Sequence, residues 1–498
     1  MERGHDDNCL RQGERRSLQR SLKAKLDPPY LHPLERVGSG DLQQLKALLY
    51  RELRTGCWIP ISKEAFDMEK RNIIILSLVG FVISLGFGAI SPILPYYVVY
   101  LEGGITELPE ELGVIEHASQ YAVEYGLMMS AFMLTRAFFA RYFGSLSDRV
   151  GRKKLITAGS IIYSLLAYAY ILSSSVYDLY AIRGLQGIAS AMVWPVAEAL
   201  LMDSVPSGMR GRSMAIYMTL TNLAMIGGPA IGVGIYKLGI HILGIREVEQ
   251  ALKFPFIGLA FISAFSILFS LLLKEDRVEL AKKAMDSLRA DVRPPKSIRR
   301  SINTIYVMAL ANGFAMGFIA PIMSLYIIQF ISSDPAAIAV VTTISGLFGL
   351  AAAYPGGRLS DRFGRKPLIL IAGVFSRLMT LLIPTARDVE GLTVISTIRS
   401  VAFNMYIPSF RALQADIAPK SIRGKVFGTV QAMFNVGAVL GPIVGGQLYK
   451  DFAPRIIQVG GIVLPGAALS FIASASIGLF SLLLFALFVE EPANPQGQ

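Results

Sequence analysis

Long uncharged apolar runs recur along the whole chain, and this recurrence constrains the fold more than any other feature. Residues 72–101, 155–177, 213–236, 254–273, 301–333, 335–357, 426–449 and 456–489 contain no Asp, Glu, Lys or Arg. A helix rises about 1.5 Å per residue and the hydrocarbon slab is about 30 Å thick, so about 20 such residues cross it. Four more stretches are apolar for a full crossing but carry isolated charges: 120–143 (Glu124, Arg136, Arg141), 179–201 (Arg183, Glu198), 368–385 (Arg377) and 391–413 (Arg399, Arg411). The expected fold is an all-α membrane protein with twelve transmembrane helices. Over the 498 residues, 53% are hydrophobic and 17% charged, with mean hydropathy +0.50, values that require lipid as a solvent.

A net charge of +12 would by itself also fit a nucleic-acid binder, but its distribution does not. With twelve spans, the connections on one side hold 22 Lys and Arg and those on the other hold 6; the first of the latter, 102–118, has five Glu and no base. The positive-inside bias places both termini in the cytoplasm of a cell-membrane protein. The only cysteines, Cys9 and Cys57, precede the first span, so no disulfide framework is implied. No phosphate-cradling Gly-x-x-x-x-Gly-Lys-Ser/Thr loop and no His-Glu-x-x-His cluster occurs. An ATP-driven pump and a zinc-type membrane enzyme are thereby disfavoured, and no cofactor or metal is expected.

The chain divides into a basic extension at 1–71, with a helix expected near 41–53 and Met68 as an alternative start, a first six-span half at 72–273, a cytoplasmic linker at 274–300, a second half at 301–489, and a short tail at 490–498. The halves are copies. Gly144-Ser-Leu-Ser-Asp-Arg-Val-Gly-Arg-Lys-Lys154 returns as Gly357-Arg-Leu-Ser-Asp-Arg-Phe-Gly-Arg-Lys-Pro367, displaced by 213 positions. The same displacement carries residues 203–212 onto 416–425, Asn222 onto Asn435, Gly228-Pro229 onto Gly441-Pro442, and Tyr236 onto Tyr449. Six spans per copy make both enter from the same side, with an axis along the membrane normal relating them; sites in such folds lie between the halves near the midplane.

The doubled Gly-x-Leu-Ser-Asp-Arg-x-Gly-Arg-Lys connection resembles the signature of the major facilitator superfamily, and the resemblance covers residues 72–489. It implies two six-helix bundles rocking between inward-open and outward-open states, a small-molecule substrate, and a monomer in the lipid bilayer. It also implies that Gly144, Asp148, Arg149, Gly151 and Arg152, with Gly357, Asp361, Arg362, Gly364 and Arg365, latch the cytoplasmic side. The glycines are expected to permit tight turns and close backbone approach. The bland alternative is a turn with topology-setting charge.

Gly228, Pro229 and Gly232, with Gly441, Pro442 and Gly445, are small-residue and proline patterns that let helices pack closely. A Gly-Pro-rich fifth helix resembles that of the superfamily's drug/proton antiporters and favours proton-coupled export of drug-like compounds. Uptake of a small, anionic nutrient is the rival within transport, and a non-transporting sensor or scaffold the rival outside it. Intramembrane charge costs about 2.5–3.5 kcal/mol on insertion scales, so each such group asks for a partner or a role. Arg183 resembles the family's fourth-helix arginine, linked there to proton coupling, or it snorkels to the outer surface. Arg136 precedes Gly144 by eight residues, about 12 Å along a helix, too deep to snorkel; a structural pairing is expected for it ahead of substrate contact. Glu198 and Arg411 occupy equivalent repeat positions, which suggests an ion pair closing the cytoplasmic mouth with Glu198 as the protonatable group; the alternative pairs Glu198 with Arg210 or Arg212, and Arg411 with Asp416. Asp203, Asp416 and Glu124 complete the gate and coupling candidates. Tyr96, Asn222, Asn312, Arg399, Asn404 and Tyr406 are the candidate cavity residues, suited to a broad, weakly polar ligand.

Overall fold

The computed structural model describes residues 63–205, 209–274, 296–418, 423–459 and 462–489. The expected helix near 41–53, most of the linker and the C-terminal tail lie outside them.

In the first half, α1 (Lys63–Ile90) is followed, after a short break, by α2 (Leu94–Leu101). The break falls at Pro92, which has no amide hydrogen to continue the helical ladder, and Pro95 lies in the first turn of α2, where a missing amide hydrogen costs nothing. Then come α3 (Ala122–Val150), α4 (Arg152–Leu172), α5 (Val176–Ser204), α6 (Arg210–His241) and α7 (Val248–Leu271). The second half repeats the series as α8 (Lys296–Tyr326), α9 (Pro335–Phe363), α10 (Arg365–Leu382), α11 (Val389–Ile417), α12 (Arg423–Phe452) and α13 (Ala468–Phe488). Among the described residues, ten helices are long and apolar enough to cross a membrane; α3 and α11 miss that composition limit because they carry Arg136 and Arg141, and Arg399 and Arg411.

The duplication extends to packing. In the first half α3 lies on α5, and α4 on both α5 and α7; in the second, α9 lies on α11, and α10 on both α11 and α13. Likewise α1 is pressed to α6 as α8 is to α12, through glycines. A methyl group on Gly228 would lie 2.7 Å from Gly88 Cα, and one on Gly445 would lie 2.7 Å from Phe318 O. Gly232 abuts Ala89, and Gly441 abuts Phe314 and Phe318, at backbone distance. Small residues here replace side-chain burial with backbone proximity. The halves meet where α3 crosses α12 and where α6 crosses α9.

Three expectations are corrected. The repeated motif is not a loop: α3 runs helically to Val150 and α9 to Phe363, and only Gly151 (φ 105°) and Gly364 (φ 92°) leave the helix, in a region that favours glycine. Gly144 and Gly357 sit within those helices, and a methyl group on either would meet nothing within 4 Å, so neither serves close approach. Finally, residues 456–489 are not one span: Ile456–Val459 and Ile462–Pro465 form an antiparallel hairpin, register Ile456 to Pro465, and α13 begins only at Ala468. Absence of charge alone cannot distinguish a β-branched hairpin from a helix. Most helices also begin a few residues earlier than the uncharged runs, at Lys63, Val248 and Lys296 among others, because a charged first turn is compatible with a helix that enters the membrane.

Candidate functional site

The helix ends define two faces of the bundle. The basic face holds the connections at Gly151 and Gly364; the acidic face holds residues 102–121 and the starts of α5, α9 and α11. At the basic face, Arg152 bonds Asp203 and, at 3.0 Å, Asp148. Arg365 pairs with Asp416 and donates to Ala412 O at 2.9 Å. Displacement by 213 turns the pair Arg152–Asp203 into Arg365–Asp416, so each half fastens its own second-to-third helix turn to the end of its fourth helix. Lys153 donates to Leu271 O at 2.7 Å, and Lys366 to Ala486 O and Val489 O, again within one half. Asp148, Arg149, Asp361 and Arg362 are exposed.

The bonds that join the halves between described residues cluster toward the acidic face. Lys237 Nζ lies 2.8 Å from Asp334 Oδ2. Ile115 N donates to Ile328 O at 3.0 Å, Ser333 N to Gly113 O at 2.8 Å, and Gln329 Nε2 to Glu116 O at 2.8 Å. Deeper in the bundle Ser130 Oγ donates to Val439 O at 2.7 Å across the halves, while Tyr449 OH donates to Gln329 Oε1 at 3.0 Å within the second half and braces the side chain that reaches Glu116. Glu124 pairs with Lys450 at 3.7 Å across the halves.

Inside the first half, a cavity of 280 Å³ is lined by Ile83, Ser84 and Phe87 of α1, Phe132, Met133 and Arg136 of α3, Tyr163 of α4, Trp194 of α5, and Thr221, Asn222 and Met225 of α6. Spacings of three and four bring each helix's contributors onto one face. Phe87 and Phe132 have ring centroids 5.2 Å apart, and Trp194 meets Tyr217 edge-on at 6.4 Å. Arg136 is the one formally charged side chain on this wall among the described residues. Behind the wall, Arg183 is 1% exposed, donates to Gln186 Oε1 at 3.3 Å and places its guanidinium 5.1 Å from the Phe87 ring centroid. Tyr170 OH bonds the same Gln186 oxygen at 2.9 Å. Arg183 therefore does not snorkel.

Glu198 is half-buried and feels both Arg136 and Arg411 electrostatically, but no ion pair joins it to Arg411 in this structure. Among the described residues the alternative pairings are absent too: Arg210 donates to Met202 O at 3.1 Å, and Asp416 is engaged by Arg365. In the second half, Asn312 donates to Tyr406 OH at 2.9 Å and accepts from Arg377 at 2.8 Å, while Arg399 Nε is buried without a partner among the described residues. Asn404 turns back on Ser400 O at 2.9 Å, and Tyr96 OH is buried with no partner among the described residues. Of the candidate cavity residues, Asn222 alone lines the cavity described above, whereas Asn312 and Tyr406 form one network. Sequence reasoning passed over Phe87, Phe132, Met133 and Trp194; their i, i+3, i+4 spacing with Ser84, Arg136 and the neighbouring helices was the available signal.

The sequence profile of the Major Facilitator Superfamily matches residues 76–310 and again 305–498, and the chain belongs to that superfamily of membrane transporters. It is 24% identical over 442 residues to "Multidrug resistance protein MdtG" of Klebsiella pneumoniae (strain 342), covering 86% of this chain and 96% of that protein. It is 25% identical over 406 residues to the MdtG of Escherichia coli (strain K12 / DH10B), covering 80% and 94%. Among solved structures, an inward-facing, occupied bacterial homolog of the human lysosomal transporter Spinster superposes with TM-score 0.63 at 15% identity, covering 85% of this chain and 98% of that one. The nucleoside transporter NupG superposes with TM-score 0.59 at 14% identity, covering 84% and 100%. The fold is thus that of the superfamily, and the chain is a multi-pass transporter of small molecules.

Proposed function

We propose that this protein exports small drug-like molecules from the cell by proton-coupled alternating access, as a monomer of the cell membrane with both termini in the cytoplasm. The observation that carries the reading is the asymmetry of the contacts: bonds between the halves gather toward the acidic face, while the repeated latch residues of the basic face are engaged within their own halves. With the positive-inside orientation, this is a state closed to the outside and open to the cytoplasm, the side from which an exporter loads. The multidrug relatives and the Gly-Pro-rich α6 support export.

In this reading Glu198 carries the coupling proton, and Glu198 meets Arg411 when the basic face closes. Their separation here is what an open gate requires. Arg136, deep in the cavity wall, supports a second reading, uptake of a small anion. Inside-out and right-side-out vesicles with an imposed proton gradient separate the two. Export predicts accumulation of a neutral or anionic aromatic drug-like probe in inside-out vesicles acidified within; accumulation only in right-side-out vesicles acidified outside would overturn it.

A further inference from the structure

We propose that the cavity between α1, α3, α5 and α6 binds an aromatic organic anion, with the anionic group held by Arg136 and the ring held among Phe87, Phe132 and Trp194. The inference rests on the transport function proposed above, takes this cavity as its site, and names the substrate class.

The charge on the wall decides the sign. Arg136 is the cavity's formal charge, and among the described residues it makes no hydrogen bond and no ion pair, although a guanidinium offers five N–H donors. No carboxylate lines the cavity among the described residues. Glu198 feels Arg136 electrostatically but forms no ion pair with it. A second cation reinforces the first, because Arg183 stands behind Phe87, 5.1 Å from the ring centroid, and its bond is to the neutral Gln186. An organic cation entering this space meets the Arg136 guanidinium, with Arg183 behind the Phe87 ring, and no carboxylate on the wall among the described residues. A carboxylate or sulfonate instead completes the unfilled hydrogen-bonding positions of Arg136 by the bidentate geometry that guanidinium favours.

The remaining wall selects the body of the ligand. Phe87 and Phe132 form a tilted pair, Trp194 of α5 adds a third aromatic ring to the lining, and Met133 and Met225 supply deformable, polarizable contacts. The Asn222 amide adds one polar contact beside them. A volume of 280 Å³ suits a compact ring system.

The test is equilibrium binding to the full-length protein in nanodiscs, using 1-naphthoate, 1-naphthylmethylammonium and 1-naphthalenemethanol as a matched anion, cation and neutral. Naphthoate is expected to bind at least about tenfold more tightly than either analogue, the scale of a hydrogen-bonded charge. Arg136→Gln should lower naphthoate affinity about tenfold or more while leaving the neutral analogue within about twofold, and Arg136→Lys should recover part of the loss. Unchanged melting temperatures identify the variants as folded, and Trp194→Ala should weaken all three probes together. A preference for the cation, or naphthoate binding indifferent to Arg136→Gln in a folded variant, overturns the inference. Flux in proteoliposomes is scored separately: cation flux without naphthoate binding defeats the anion site and leaves transport standing, and naphthoate binding without flux of any probe does the reverse.

Discussion

Lys237 Nζ lies 2.8 Å from Asp334 Oδ2 and ties the end of α6 in the first half to the N-cap of α9 in the second. Asp334 also accepts from Ala336 N at 2.8 Å, so its carboxylate caps one helix while gripping another. The two side chains are 35% and 32% exposed, which limits the pair to about 1 kcal/mol. Lys237→Ala should therefore move the population away from the state described here by at most about fivefold. Spin-label distances across the acidic face would show a longer-distance component growing in Lys237→Ala, while Asp334→Asn adds little to it. Distances identical to the parent protein would remove Lys237 from the closure.

The glycines separate into those that carry packing and those that do not. A side chain at Gly232 collides with the Ala89 backbone, and one at Gly441 with the backbones of Phe314 and Phe318. Since backbone cannot yield as a flexible side chain does, Gly232→Val and Gly441→Val should each destabilise by about 2 kcal/mol or more. Gly144→Ala meets nothing and replaces glycine within a helix, so it should be neutral or stabilising by up to about 1 kcal/mol. Thermal unfolding in detergent ranks the three. A Gly144→Ala protein as unstable as Gly232→Val would show that the motif's first glycine serves another conformation.

Arg152–Asp203 and Arg365–Asp416 are one ion pair written twice, with Arg152 and Asp203 side chains 11% and 23% exposed. Removing one partner strands the other in a half-buried site, so Asp203→Asn should cost about 1–3 kcal/mol. A double-mutant cycle with Arg152→Gln should return a coupling energy of about 1 kcal/mol or more. Coupling near zero would reduce the pair to a surface contact.

The duplication, the helical character of the long apolar runs, the charge asymmetry and the two turn glycines, Gly151 and Gly364, were legible because each is a one-dimensional pattern. The displacement of 213 even transfers the Arg152–Asp203 contact onto Arg365–Asp416. What the sequence could not supply was helix rotation. Whether Arg136 looks toward Trp194, Glu198 or lipid depends on how α3 is turned against α5, and that is set by Gly187, whose missing side chain lets α5 approach the backbone of Phe132 and Arg136. Similarly, Asn222 and Asn404 look alike in sequence, yet Asn222 opens into the cavity while Asn404 spends its amide on Ser400. The hairpin at 456–465 was hidden because an uncharged run carries no mark of where strand gives way to helix.

Orientation is tested directly at exposed motif positions. In protein lacking Cys9 and Cys57, Arg149→Cys and Arg362→Cys should react with an impermeant maleimide from the same side of intact cells' membranes, and Glu107→Cys from the other. All three positions are exposed, so access, not burial, sets the labelling. Same-side labelling follows from an even number of crossings between residues 149 and 362; labelling of Arg149→Cys and Arg362→Cys from opposite sides would break the parallel-repeat architecture.

Glu198 offers the sharpest probe of coupling. It is the acid that Arg136 and Arg411 both influence, and its repeat image is Arg411 itself, so convergence of the basic ends would bring opposite charges together on α5 and α11. If Glu198 carries the proton, Glu198→Gln should lose about tenfold or more of gradient-driven flux, because the amide cannot release charge to Arg411, yet keep downhill counterflow, which needs only the rocking motion. If Glu198 serves only as a gate partner, counterflow should fall as well, since closure of the basic face would be weakened in every cycle. Exchanging the charges, Glu198→Arg with Arg411→Glu, should then restore counterflow above either single variant. Transport by the exchanged protein no better than by the singles would remove the pair from the gate, and gradient-driven flux undiminished in Glu198→Gln would remove Glu198 from coupling.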